Sequence, residues 1–124
     1  MSKIPSDEDF AKAKQRMREL DRNLSQVNEN ALRYFKKICP AHCYKFYLIA
    51  ENDKQFRAYI FYKNNGDIQT YGANGVAQKM MDFVYAELER QGRGNTQEIM
   101  VEFEFDSDEN VVANYEGDYY LRLR

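Results

Sequence analysis

The sequence predicts an α+β domain: a mostly antiparallel sheet of about five strands with helices packed on one face. The predicted chain order is one or two helices, three strands, a helix and two strands. Three observations lead there. Apolar residues recur at helical spacing up to Ile38 and again from Val76 to Gln91, short aromatic and β-branched runs follow each helical stretch, and every link between neighbouring strands except the helical crossover is hairpin-short. The 124 residues fit one domain, 1–124, with a helical segment over 1–38 and a sheet with one crossover helix over 43–120.

Ser6 followed by Asp9 resembles a capping box just after Pro5, so a helix starts there. Its apolar stripe is Phe10, Ala13, Met17, Leu20, Leu24, Val27, Ala31, Tyr34 and Ile38, spaced three and four apart, which suits one long helix. Asn23, Ser25, Asn28 and Asn30 are poor interior residues, and a break near Asn23 into a helical pair is the alternative. Pro40 ends the stretch either way. Such a stripe docks on the sheet or, in a second reading, pairs two copies of the chain.

Tyr44 to Glu51 and Phe56 to Lys63 read as a hairpin around Asn52, Asp53 and Lys54. Asn64, Asn65, Gly66 and Asp67 signal a second tight turn, because Asn-Gly accepts the positive φ of a type I′ turn, and a third strand is expected over about Asp67 to Tyr71. Gly72 and Asn74-Gly75 break that strand. Val76, Met80, Phe83, Val84 and Leu88 then mark a helix that Gly92 and Gly94 stop. In the final segment Ile99, Val101, Phe103 and Phe105 alternate with Glu98, Met100, Glu102, Glu104 and Asp106, giving one core face and one acidic face. Asp106 to Asn110 supplies a turn, and Val111 to Tyr115 is expected to return as an antiparallel strand.

The net charge of −2 conceals a segregation. Residues 1–94 carry 16 basic and 12 acidic side chains, residues 95–121 carry 8 acidic and no basic ones, and Arg122 and Arg124 follow. The overall balance argues against a strongly basic nucleic-acid binder. No apolar run approaches a membrane span and the N-terminus lacks the apolar core of a signal peptide, so a cytoplasmic location with no membrane partner is expected. Cys39 and Cys43 are then reduced thiols.

The densest reactive set is Cys39, His42 and Cys43. With no other Cys or His in the chain it falls short of a structural zinc site, and a Cys–His nucleophile needs a geometry that sequence adjacency seldom gives. Glu102 and Glu104 project from one strand face, as paired carboxylates of glycosidases do across a cleft, but no phosphate loop, nucleophile elbow or metalloprotease helix accompanies them. The expectation is therefore no enzyme: no catalytic residue, no cofactor and no metal. Two binding readings remain. Tyr44, Phe46, Tyr47, Tyr59, Phe61 and Tyr62 interleave with Lys45, Arg57 and Lys63, as on sheets that stack single-stranded nucleic acid. The acidic segment, whose carboxylates repel one another without a basic partner or solvent, instead fits a cationic protein. Its candidate partner-binding residues are Glu102, Glu104, Asp106, Asp108, Glu109, Tyr115, Glu116 and Asp118.

The string KFYLIAENDKQFRAYIFYKNNGDI and the closing EIMVEFEFDSDENVVANYEGDY together resemble the YezG-like immunity proteins. These are small bacterial antitoxins encoded beside polymorphic or contact-dependent growth inhibition toxins, which are often nucleases. The resemblance lies in a short helix leading to an aromatic strand, a second aromatic strand ending in a Gly-containing polar turn, a helix, and a terminal segment of the form V-x-F-x-F-D-S-D-x-x-V, spanning Ala31 to Tyr120. It implies a non-enzymatic inhibitor that binds its cognate toxin in the cytoplasm and occludes the active site. It does not assign the binding residues.

Overall fold

The computed structural model describes residues 7–124, so the capping box expected at Ser6 lies outside the described residues. Two helices, α1 (Asp7–Leu20) and α2 (Leu24–Ile38), replace a single long one. Asn23 sits between them at φ 62°, a left-handed conformation that asparagine tolerates better than most residues. The break is held from outside. Asn23 Nδ2 donates to the Gln91 carbonyl at 2.9 Å, and the buried Arg93 guanidinium donates to the carbonyls of Leu20 at 2.7 Å and Arg22 at 3.1 Å while lying 4.8 Å from the centre of the Phe56 ring. Arg93 thus satisfies backbone acceptors around the end of α1 that no further helical turn supplies.

The predicted apolar stripe divides at this break. In α2 its members Leu24, Val27 and Ala31 are buried and Tyr34 and Ile38 half-buried, while Phe35, outside the predicted stripe, is buried as well. In α1, every residue from Glu8 to Glu19 is exposed, with Phe10 at 54% and Met17 at 64%, so this half of the stripe does not dock on the sheet as expected.

β1 (Cys43–Ala50) and β2 (Gln55–Tyr62) form the predicted antiparallel hairpin. Asn52 Oδ1 closes its turn by accepting from the N–H groups of Lys54 and Gln55, both at 2.9 Å. Beyond this hairpin the predicted topology is overturned. The expected third strand at Asp67 to Tyr71 is helix α3 (Asn65–Ala73), followed by α4 (Val76–Arg90). Asn64 and Asp67 frame a helix start rather than a hairpin turn: the Asp67 carboxylate accepts from the Asn64 N–H at 3.1 Å, and Gly66 has no positive φ. Gly75, at φ 89°, makes the corner between the two helices.

Without that third strand the chain reaches the sheet again through a helical crossover of two helices, and β3 (Met100–Ser107) pairs with β2 in parallel. The expected return strand at Val111 to Tyr115 is also helix, α5 (Asp108–Asn114), followed by α6 (Tyr119–Leu123). Ser107 caps α5 by accepting from the Asn110 N–H at 3.0 Å, with Asp108 and Glu109 in the first turn. The fold is therefore α+β with a mixed three-stranded sheet in the order β1-β2-β3, where five mostly antiparallel strands were expected.

The sheet is covered on both faces, whereas the sequence predicted helices on one. On the inner face Phe46, Leu48, Phe56, Ala58, Ile60, Tyr62 and Val101 pack with α2 residues and with Met80, Val84 and Leu88 of α4. The opposite pleat of β2, Tyr59 and Phe61, packs with Val111, Tyr115, Tyr119 and Leu123 from α5, α6 and the link between them. This second cover reaches only part of the outer face. It leaves open the end of β3 at Glu102.

Candidate functional site

Period-two alternation sends Glu102, Glu104 and Asp106 to the outer face of β3. The parallel register sets them opposite Arg57, Tyr59 and Phe61 of β2, and the hairpin register continues those rungs to Ile49, Tyr47 and Lys45 of β1. At the uncovered end Arg57, Tyr59, Glu102, Phe103 and Glu104 line an open depression of about 540 Å³. Arg57 stands between Glu51, with which it pairs, and Glu102, 3.9 Å away. The Glu102 side chain is 70% exposed, so a partner can reach it, and Met100 and Ile49 add exposed apolar area beside it.

At the covered end the acidic residues are engaged within the chain. Asp106 is 8% exposed; it accepts from Arg122, from Asn110 Nδ2 at 3.0 Å and from the Ser107 N–H at 2.8 Å. Arg122 also reaches Glu104, and its guanidinium lies about 6 Å from the ring centres of Tyr59, Phe61 and Tyr115. Burial works against its charge, but the hydrogen bonds to Asp106 and Glu104 outweigh that and hold its pKa above the ordinary arginine value.

The eight predicted residues therefore do not form one surface. Glu102 and Glu104 stand at the open depression. Asp108 accepts from the Tyr119 hydroxyl, Glu109 accepts from the Asn65 N–H at 2.8 Å, and Asp118 caps α6 through the N–H groups of Tyr120 and Leu121. Tyr115 is half-buried beside Arg122, and Glu116 is an exposed turn residue at φ 56°. The segment is also less uncompensated than its sequence implied: Arg122 relieves Glu104 and Asp106, and Arg57 faces Glu102. Sequence reasoning missed Arg57 and Tyr59 as members of the site, although the pleat of β2 already placed them on one face.

The aromatic hairpin offers no stacking platform. Phe46, Tyr59, Phe61 and Tyr62 are buried, and the two more accessible rings, Tyr44 and Tyr47, both lie against Tyr119, about 6 Å between centres.

The Cys–His set is assembled for packing. His42 Nδ1 lies 3.1 Å from Asp67, and among the described residues no group of His, Cys, Asp and Glu could hold a metal ion. Both thiols are buried and free. Burial, with the neighbouring Cys39 adding to it, pushes the Cys43 thiol up to about 12, and burial raises Cys39 as well. Neither is a thiolate at neutral pH. At pH 8 both cysteines are expected to resist iodoacetamide in the native protein and to react at once in 6 M guanidinium, measured by mass; rapid labelling of Cys39 or Cys43 in the native state would contradict this packing.

No helix among the described residues is long and apolar enough to cross a membrane. No family model, curated protein or solved structure matches the chain.

Proposed function

We propose that this chain is an immunity protein that neutralises a cognate toxin, a basic domain such as a nuclease, by binding it through the open end of the outer sheet face. The reading joins the resemblance of the hairpin and β3 segments to YezG-like immunity proteins with one structural observation. Glu102 and Glu104 are held on a rigid strand, beside the Tyr59 ring, at an accessible depression of about 540 Å³. Carboxylates so placed speed association with a cationic surface and compete there for positions that hold phosphates. Exposed Met100 and Ile49 supply the apolar contact that steering alone lacks. No catalytic step is part of the proposal: inhibition is by occupancy, in the cytoplasm, and needs no cofactor.

Charge reversal at Glu102 tests it, because that side chain pairs with Arg57 and not with Arg122, so its change leaves Arg122 in place. Glu102→Lys is expected to slow association with the toxin about tenfold at low salt and to flatten its salt dependence. A homodimer is a second reading favoured by a different observation, the exposed Phe10 and Met17 on α1. It predicts a particle of twice 14.7 kDa that falls to 14.7 kDa in a Phe10→Gln/Met17→Gln variant, measured by sedimentation equilibrium; a wild type already monomeric at high concentration excludes it.

A further inference from the structure

We propose that Glu104, Asp106 and the rings of Tyr59, Phe61 and Tyr115 form a guanidinium-binding site, filled within the chain by Arg122, and that an arginine of the protein partner takes it by displacing α6. The site itself is built from the sheet and from Tyr115, which caps the C-terminal end of α5. Its two carboxylates stand two residues apart on β3, and they receive different ends of one guanidinium: Nε on Asp106 and Nη2 on Glu104. That division suits a planar fork better than a point-charge ammonium. The three ring centres at 5.8 to 6.0 Å add a cation-π surround, which again favours arginine.

The element that delivers Arg122 is much less firmly built than the site. α6 has five residues and none is buried; Tyr120 is 74% exposed and Leu121 38%. It is held to the sheet by Arg122, by Tyr119, which packs against Tyr44, Tyr47 and Phe61 under Lys45 and bonds to Asp108, and by the half-buried Leu123. Removing this short helix leaves Asp106 without its cation but still fixed by Asn110 and the Ser107 N–H. An incoming arginine therefore finds the Asp106 carboxylate already positioned, with Glu104 beside it on the same face of β3. This inference rests on reading the outer face as a partner surface, but its test uses no partner.

The experiment follows thermal unfolding of full-length Arg122→Ala with methylguanidinium chloride, with methylammonium chloride and wild type as controls. At about 20 mM, methylguanidinium is expected to raise the midpoint of the variant by about 2 °C, methylammonium to leave it in place, and wild type to respond to neither. An unmoved variant, an equal response to methylammonium or an equal response of wild type would overturn the site. If Arg122→Ala shows no folded baseline, Arg122→Lys keeps a cation between the carboxylates. There, amide shifts at Phe61 and Asp106 on adding methylguanidinium support the site, and their absence overturns it. A site that binds methylguanidinium while Glu102→Lys leaves toxin binding unchanged would stand without the proposed function. The converse result would keep the function and remove the site.

Discussion

Phe35→Ala is expected to lower the unfolding free energy by about 3–5 kcal/mol, and Phe10→Ala by less than about 0.5 kcal/mol, although both are phenylalanines of the N-terminal helical segment. Phe35 is fully buried in α2, its ring edge-on to Phe46 with 5.1 Å between centres, and it joins helix to hairpin. Truncation removes the buried area and leaves a cavity in a core that also contains Val27 and Ala31. Phe10 is 54% exposed and loses little when truncated. Urea denaturation of both variants reads the difference, and Phe35→Leu provides a milder point if the alanine variant is too unstable to measure. Equal costs would mean that α1 is docked and that the division of the stripe at Asn23 is wrong.

Asp106→Ala is expected to cost about 2–4 kcal/mol, and the equally acidic Glu102→Ala less than about 0.5 kcal/mol. The Asp106 and Arg122 side chains are 11% and 13% exposed, so solvent screens their pairing far less than it does a surface ion pair. Removing the carboxylate leaves a largely buried guanidinium with Glu104 alone and frees Asn110 Nδ2. Asp106→Asn keeps the shape without the charge and is expected to fall between the two. Denaturant midpoints measured at constant ionic strength check the order. A loss at Asp106 no larger than at Glu102 would show that Arg122 does not seal this end of the sheet.

How far the sequence reveals this fold depends on the range of the interactions involved. The first hairpin, the stripe on α2, the stripe on α4 and the alternation of β3 are legible because each is a repeat within one element. The two misplaced strands share one cause. Asn64 to Asp67 and Ser107 to Asn110 each read equally well as polar turns or as helix N-termini, and the β-branched pair Val111 and Val112 favours strand by propensity alone. Tertiary partners decide otherwise: Glu109 accepts from the Asn65 N–H, Ser107 bonds Asn65, and the starts of α3 and α5 thereby stabilise each other. Once α3 replaces a strand, β3 reverses direction, so one local ambiguity changes the topology of the sheet.

The candidate site was legible to a similar depth. Alternation placed Glu102 and Glu104 on an outward face, where they stand. The fate of Asp106 was hidden, because its cation lies 16 positions along the chain and is brought back by two short helices that were not foreseen. The apparent run of eight free carboxylates becomes one end neutralised by Arg122 and one end open around Glu102. A smaller, better defined surface remains, and it contains Arg57 and Tyr59 as well as acid.

The measurement that bears most directly on the proposed function is the association rate of wild type and Glu102→Lys with the proposed toxin partner, followed by stopped flow from 20 to 500 mM salt. Binding through the open end of the outer face predicts about a tenfold slower rate for the variant at the lowest salt, converging with wild type as salt rises. Equal rates at every salt concentration, with inhibition of the toxin intact, would contradict it.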